Sequence, residues 1–503
     1  MKNYGYYILT LLLIVNLLPS CGGNRLKTDE KKLANQILTE EEQLAQQDAK
    51  RAEREKLLAD SIAKLPKGFR FTGDRKIDPQ NSPEIIDIAG NLNQYGKFAL
   101  SDLVSEIKYI RLQRPEDSAF TGKVTFKSDV DYKQELPLMV IKNKDFVVAY
   151  NYLGILLYSS EGKLLKTICS NELHNFELGK NYIKGGSNST IKGANNTPYL
   201  IGNNLYYNYE DEESGISNLM KVDCNKLPLS LPENIENKSK YKGIGTPVAY
   251  TGKNSYNVVP LGSNLFTKKG HPKRNEDMLT IYSANGDTLC SFPGNQKIEN
   301  YTSTVSRSPD FGSSFQYKGN YFFREAHSDT IFRVVPPNRL IPEFTLNLGE
   351  YKIDRIQDAM DPKYNLDDKF ILKSLSISDS YVLIHYTKGY NSPNARRNKK
   401  VKFYHAIYDR KNKTLKHIQY DPNNWKFSLE NDIDGGLSFW PYFPVSEHGE
   451  FLMSVKGIDL KEHIKTDDFL NSSAPDKKKA VFLDLAQKAD NHETIVIIMK
   501  QRK

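Results

Sequence analysis

The chain has 503 residues, a formal net charge of +9, 39% apolar and 26% charged residues, and four cysteines. That balance lies in the globular range and excludes a disordered chain, and so few cysteines exclude a disulfide framework. The excess charge is modest and spread out, so nucleic acid is not expected as a partner, and the length exceeds the roughly 250–300 residues at which one core stops growing, which calls for several domains or a repeated unit.

In chain order, the first element is an export signal. Lys2 supplies a small positive region, and residues 8–18 an apolar run of signal-peptide length, too short for a typical transmembrane helix. Leu18-Pro19-Ser20-Cys21-Gly22 follows and resembles the lipobox of bacterial lipoproteins, with Leu three positions before the cysteine and a small residue directly before it. Pro19 departs from the small residues usual at its place. The resemblance implies cleavage before Cys21, diacylglyceryl attachment to its sulfur and acylation of the new amino terminus. Several acyl chains, at roughly 0.8 kcal/mol per buried methylene, make such an anchor stable. Gly22 in place of Asp implies the outer membrane, with the face of that membrane undetermined. The alternative is an ordinary secretory signal containing a cysteine.

Residues 27–65 are rich in Ala, Glu, Gln, Lys and Leu and lack Gly and Pro, which predicts a helix ending at Pro66-Lys67-Gly68. Leu33, Ile37, Leu44, Leu58, Ile62 and Leu65 form a partial stripe that charge interrupts at 47–55. A semi-rigid spacer over 21–66 is expected, with a short pairing coiled coil as the alternative. Residues 67–94 read as an extended arm broken by Pro79 and Pro83. Residues 107–112 then alternate as a strand.

Six times thereafter two apolar runs flank a short turn, centred on Asn143, Asn203, Gly262, Gly319, Asp379 and His448, with successive centres 60, 59, 57, 60 and 69 residues apart. No such unit buries its own apolar surface, and ring closure leaves only short edges. The reading is therefore all-β, a six-bladed β-propeller over 95–503. The first blade shows four strands near 138–141, 146–150, 155–158 and 164–168, separated by Asn143-Lys144-Asp145, Gly154 and Glu161-Gly162-Lys163. The last blade is expected to combine 440–443, 451–455, 494–499 and the early strand around Tyr109, so that both termini close the ring.

Chemistry-bearing motifs are sparse. The nine His show no zinc-binding spacing, and neither a nucleophile elbow nor a phosphate-binding loop occurs. No catalytic residue, metal or cofactor is expected. Glu447-His448 and Glu462-His463 read as solvated pairs, and Gly185-Gly186-Ser187-Asn188 as a flexible loop. Cys169 and Cys290 read as buried apolar residues within strands. Basic runs at 268–274 and 396–400 read as charged loops, with docking to an acidic glycan or an anionic membrane as the alternative.

Several stretches resemble the six-bladed β-propeller lipoproteins, many known only as domains of unknown function, of Gram-negative bacteria that live on polysaccharides. They are Leu100-Ser101-Asp102-Leu103 leading into 107–112, Tyr158-Ser159-Ser160-Glu161-Gly162-Lys163, Tyr317-Lys318-Gly319-Asn320 through Ser328-Asp329-Thr330-Ile331-Phe332, Asp432-Ile433-Asp434-Gly435-Gly436 before Phe439-Trp440-Pro441, and the apolar tail to Lys500. The resemblance implies the fold and the anchor but no reaction. Asp329-Thr330 and Trp440 suit structural roles in a turn and between blades. The functional alternative places Arg324, His327, Asp434 and Trp440 on one face of the ring as a ligand site for a sugar or peptide. Asp60-Ser61-Ile62, Asp117-Ser118-Ala119, Asp287-Thr288-Leu289 and Asp329-Thr330-Ile331 also look like the three-residue O-glycosylation signal of some such bacteria, with Ser61 the copy worth testing. The expected role is a membrane-anchored binding module of the cell envelope for a glycan, peptide or protein partner. The alternatives are a glycan lyase or hydrolase working at the central channel, and a structural subunit of an envelope complex.

Overall fold

The computed structural model describes residues 40–502 apart from 76–81, 116–122, 127–131, 136–138, 152–153, 172–176, 179–197, 211–215, 227–240, 244–245, 254–257, 263–264, 270–276, 284, 295–312, 356–357, 360, 362, 419–428, 441–445 and 447–448. The signal, Cys21, the first part of the spacer, the Gly185 loop, Ser118, most of the 268–274 run and Glu447-His448 therefore lie outside the described residues. Two compact units are present, Met1–Leu57 and Leu58–Lys503. Within the first, residues 40–57 belong to the helix Glu40–Ala63, as a run of strong helix formers requires. The second unit takes in the end of that helix, where Leu58 and Ile62 pack on apolar side chains of the β body.

Six sheets make the body. Blade 1 comprises Met139–Lys142, Phe146–Asn151, Gly154–Ser159 and Leu164–Asn171, and blade 2 Tyr199–Ile201, Asn204–Glu210, Ile216–Asp223 and Thr246–Lys253. Blade 3 comprises Val258–Pro260, Leu265–Lys269, Leu279–Ser283 and Thr288–Phe292, and blade 4 Ser313–Tyr317, Asn320–Arg324, Thr330–Val335 and Arg339–Asn347. Blade 5 comprises Phe370–Ile377, Tyr381–Lys388, Lys402–Asp409 and Thr414–Ile418. Blade 6 pairs Phe451–Lys456 with Thr494–Gln501 and that strand in turn with Val104–Arg111, all antiparallel. Strands from the two ends of the chain thus share one sheet. Of the strand expected at 440–443, residues 441–445 lie outside the described residues, and Phe439 bridges to Leu429.

Alternation along each strand sends side chains to the two neighbouring blades, and six apolar clusters fill the six gaps. Val148 and Tyr150 of blade 1 meet Leu205 and Tyr207 of blade 2, while Val147 and Ala149 meet Val496 and Ile498 of blade 6. Tyr206 and Phe266 join blades 2 and 3, and Ile281 and Phe323 join blades 3 and 4. Phe322 and Ile384 join blades 4 and 5, and Leu383 and Ile497 join blades 5 and 6. The circle is closed: a six-bladed β-propeller. Turns between first and second strands reinforce it, as Asn143 Nδ2 donates to Gly202 O at 2.6 Å and Tyr317 Oη to Asp379 Oδ1 at 2.8 Å.

The stretch read as an arm is a belt along the outer edges of the ring. Phe71 N donates to Leu289 O on blade 3, Glu84–Asp87 adds a parallel strand to blade 4, and Tyr95–Gly96 adds another to blade 5. The belt then becomes the outer strand of blade 6 and touches blade 1, where Gln113 N donates to Gly162 O at 2.8 Å. Covering edges in this way removes the unpaired N–H and C=O groups that invite aggregation. Gly162 sits at φ +89°, and a Cβ there would lie 2.2 Å from Arg111 O, so glycine is required where belt and blade meet. A fifth strand on blade 1, Tyr241–Gly243, comes from between two strands of blade 2. Outside the blades, Lys123–Phe126, Tyr132–Glu135 and Glu177–Leu178 form a small sheet.

One departure from the sequence reading is helical. Gly457–His463, Asp467–Leu470 and Asp476–Lys488 are inserted between two strands of blade 6 and enclose Leu460, Phe469, Phe482 and Ala486. His463, expected to be solvated, is buried among them, its rings of contact being Phe469 and Phe482, with Nε2 donating to Gly435 O at 2.9 Å. Cys290 is buried as expected; Cys224, for which no expectation was made, is buried too, and both are free thiols, while the side chain of Cys169 lies outside the described residues.

Candidate functional site

The four residues singled out from sequence are all buried, at 3–7% exposure, and they occupy three different places. Arg324 ends the second strand of blade 4, donating from Nε to Ser313 Oγ at 3.3 Å and from a terminal nitrogen to Ser328 O at 3.0 Å. With His327, which adopts φ +55°, it lines a cavity between blades 4 and 5 closed by Phe370 and Tyr386. That cavity has about 20 Å³ of space, room for one water. Asp329 pairs with Lys352 at 2.7 Å and shapes the same turn.

Asp434 lies elsewhere, under blade 6. Its Oδ2 accepts from Tyr109 Oη at 2.8 Å, and its Oδ1 from Asn431 Nδ2 at 2.8 Å and Gly436 N at 2.9 Å. Burial lifts its pKa above the ordinary carboxyl value, and burial together with the neighbouring carboxylate lifts that of Tyr109. Trp440 is in a third place, the gap between blades 5 and 6. Its ring lies 4.5 Å from that of His405, which stacks on His385 at 4.5 Å.

The two histidines face each other across adjacent strands of blade 5. Burial and the neighbouring His385 lower the pKa of His405 to about 2, while burial and the nearby Lys373 charge lower that of His385 to about 4. Above the unfolded value near 6.5 both are neutral in either state and stability is flat. Below it the unfolded chain takes up protons that the folded one refuses, so stability falls as pH drops from about 6.5 toward 4, by up to about 1.4 kcal/mol per pH unit for each ring. Urea melts of wild type and His405→Phe from pH 7.5 to 4.5 check this. The variant keeps a ring against Trp440 and is expected to lose the share of the slope that His405 supplies, up to about 1.4 kcal/mol per pH unit. His385 and the buried His417, whose pKa burial also lowers, keep theirs; an unchanged slope excludes His405 as a source.

The surface best equipped for recognition adjoins this stack. A β-bulge in the first strand of blade 5 falls at Lys373, and the long connection after the second strand carries Tyr390 and the short helix Pro393–Arg397. Lys373 Nζ lies 3.3 Å and Arg396 Cζ 4.7 Å from the centre of the Tyr390 ring. Two cations no more than about 8 Å apart repel by at least ~0.5 kcal/mol in water, and the π-face of the shared ring offsets part of this. Arg396 also donates to Tyr390 O. Ser392 caps the helix, Asn398 ends it, and Lys400 N donates back to Ala395 O at 2.8 Å. This closure puts Lys399 at φ +53°, a place that favours glycine. Arg396, Arg397, Lys399, Lys400 and Lys402 are all exposed. The run 396–400 was visible in the sequence; its convergence with Lys373 on Tyr390 was not, because a bulge in a strand 17 residues earlier leaves no periodic signal. Among the described residues no group of three His, Cys, Asp or Glu is placed to hold a metal.

A closed propeller with a cationic crest on one blade is thus the class of protein the fold defines. Residues 66–466 match the family model described as "Domain of unknown function (DUF4933)", and the chain belongs to that family. No curated protein matches it. Similar solved structures include a putative exported protein from Bacteroides fragilis, at 10% identity and TM-score 0.48 over 84% of this chain and 100% of that one. Others are a protein of unknown function from Bacteroides thetaiotaomicron, at 8% identity and TM-score 0.28 over 62% and 64%, and the Neurospora crassa Pan2 WD40 domain, at 8% and 0.29 over 66% and 76%.

Proposed function

We propose that this protein is a binding module tethered to the outer membrane through Cys21, and that it takes up an envelope ligand, a glycan above all, on the crest of blade 5. The observation that carries the reading is the Tyr390 ring flanked by Lys373 and Arg396 within a stretch of exposed cations. Rigid strands position this crest, and such preorganisation lowers the entropy lost on binding. The tether rests on the lipobox-like Leu18-Pro19-Ser20-Cys21 and the spacer behind it.

Two measurements test it. In detergent phase separation the wild-type protein is expected in the detergent phase and Cys21→Ala in the aqueous phase; identical partitioning sinks the tether. On a glycan array the solubilised full chain is expected to retain a subset of glycans without releasing products, and Tyr390→Ala to lose at least tenfold in affinity for them. Turnover would move the reading to an enzyme, and full retention by Tyr390→Ala would remove the crest from it.

A further inference from the structure

We infer that the ligand of this crest is a polyanionic polysaccharide, a chain bearing carboxylate or sulfate groups; the inference rests on the binding reading above. Between 388 and 402 the sequence carries Lys388, Arg396, Arg397, Lys399, Lys400 and Lys402 and not one acidic residue. The fold adds a seventh cation, Lys373, from a different strand. Two carboxylates of the preceding loop are engaged by this stretch. Asp368 pairs with Lys388 at 2.8 Å, and Asp367 accepts from Ser392 and Asn394 and so shapes the turn that presents the helix.

Three features go beyond a merely solvated charged loop. Lys373 and Arg396 are gathered on one ring, so an anion bound beside Tyr390 meets two cations held at fixed places. Lys399 occupies a left-handed position at which glycine would relieve strain, so the helix ends in a cation at a cost in stability. The arginines offer planar forks that match carboxylate and sulfate oxygens in pairs. The layout favours a chain over a bilayer. Lys373 lies on the first strand of its blade, while Arg397, Lys399 and Lys400 lie on the connection between its second and third strands. A flexible polymer can follow such a track; a flat surface meets only its outermost part.

The test is binding of the detergent-solubilised full chain to immobilised heparin, polygalacturonate and neutral dextran, and to phosphatidylglycerol vesicles, at two salt concentrations. The expected result is at least tenfold tighter binding to the two charged polysaccharides than to dextran, weakening steeply with salt. The charge-reversal variant Arg397→Glu with Lys400→Glu should lose at least tenfold, with an unchanged melting temperature, and Arg70→Glu, a distant exposed cation, should bind as wild type. Dextran bound as tightly as the charged chains, with loss in Tyr390→Ala, would overturn the polyanion while leaving the crest as the site. Polyanion binding that survives charge reversal would overturn the crest itself. Vesicle binding without polysaccharide binding, or no binding to any of the four, would overturn the inference.

Discussion

Deleting residues 494–503 is expected to abolish cooperative folding of the whole ring rather than loosen its end. The strand Thr494–Gln501 is the middle member of blade 6, paired on one edge with Phe451–Lys456 and on the other with Val104–Arg111. Ile495, Val496, Ile497, Ile498 and Met499 are each at most 5% exposed. At roughly 1.5–3 kcal/mol for each buried apolar side chain, their loss matches the whole stability of about 5–15 kcal/mol typical of a domain. Two neighbours are affected as well, because Val496 and Ile498 pack on blade 1 and Ile497 and Met499 on blade 5. A milder version, Ile497→Ala, is expected to cost about 2–5 kcal/mol. Gel filtration and thermal melts followed by circular dichroism decide it: a monomeric deletion variant with a wild-type melt would show that the ring does not need its last strand.

The second large effect is expected at Asp434. The loop from Asn431 to Gly436 is a latch tying three separate parts of the chain together. Asp432 accepts from Ser101 N at 2.9 Å at the start of the helix Leu100–Leu103, Asp434 accepts from Tyr109 on the blade 6 strand, and Gly435 O accepts from His463 in the inserted helices. Gly436 is pressed so closely that a Cβ would lie 2.7 Å from Tyr109 Oη. Asp434→Ala removes the acceptor for a buried phenol, a buried amide and a backbone N–H together. Each unsatisfied donor costs about 1–3 kcal/mol, not fully additively, so a total near 3–5 kcal/mol is expected in urea melts at pH 7. Asp434→Asn, which keeps the shape and part of the accepting capacity, should lose less. A change below 0.5 kcal/mol in Asp434→Ala, within the range of ordinary surface substitutions, would mean that the latch does not hold the belt.

The sequence made the ring legible because a blade needs two apolar runs around a turn, and that unit leaves a period near 60 residues. The closing strand was legible for the same reason, since Ile107, Tyr109 and Ile110 sit in an alternating run. The belt was not. Its strands Glu84–Asp87 and Tyr95–Gly96 are four and two residues long and are fixed by pairing with edges some 260–320 residues away. The inserted helices were missed because Asp476–Lys488 buries only Phe482 and Ala486 fully and otherwise reads as a polar segment. The same polar reading placed His463 in solvent. At the candidate sites, residue type drew attention to Asp434 and Trp440, but their partners stand far off in sequence, 325 residues away for Tyr109. Charge patterning marked Arg396 to Lys400, and only the fold brings Lys373 and Tyr390 to it.

The central claim, a circle closed by strands from both ends of the chain, is tested most directly by hydrogen exchange of the backbone amides in 104–111 and 494–501. The account predicts that both segments exchange at one slow rate, in step with the inner strands of blades 1 and 5, and that both lose protection together in Ile497→Ala. Exchange of 104–111 within seconds, while the remaining blades stay protected, would contradict it.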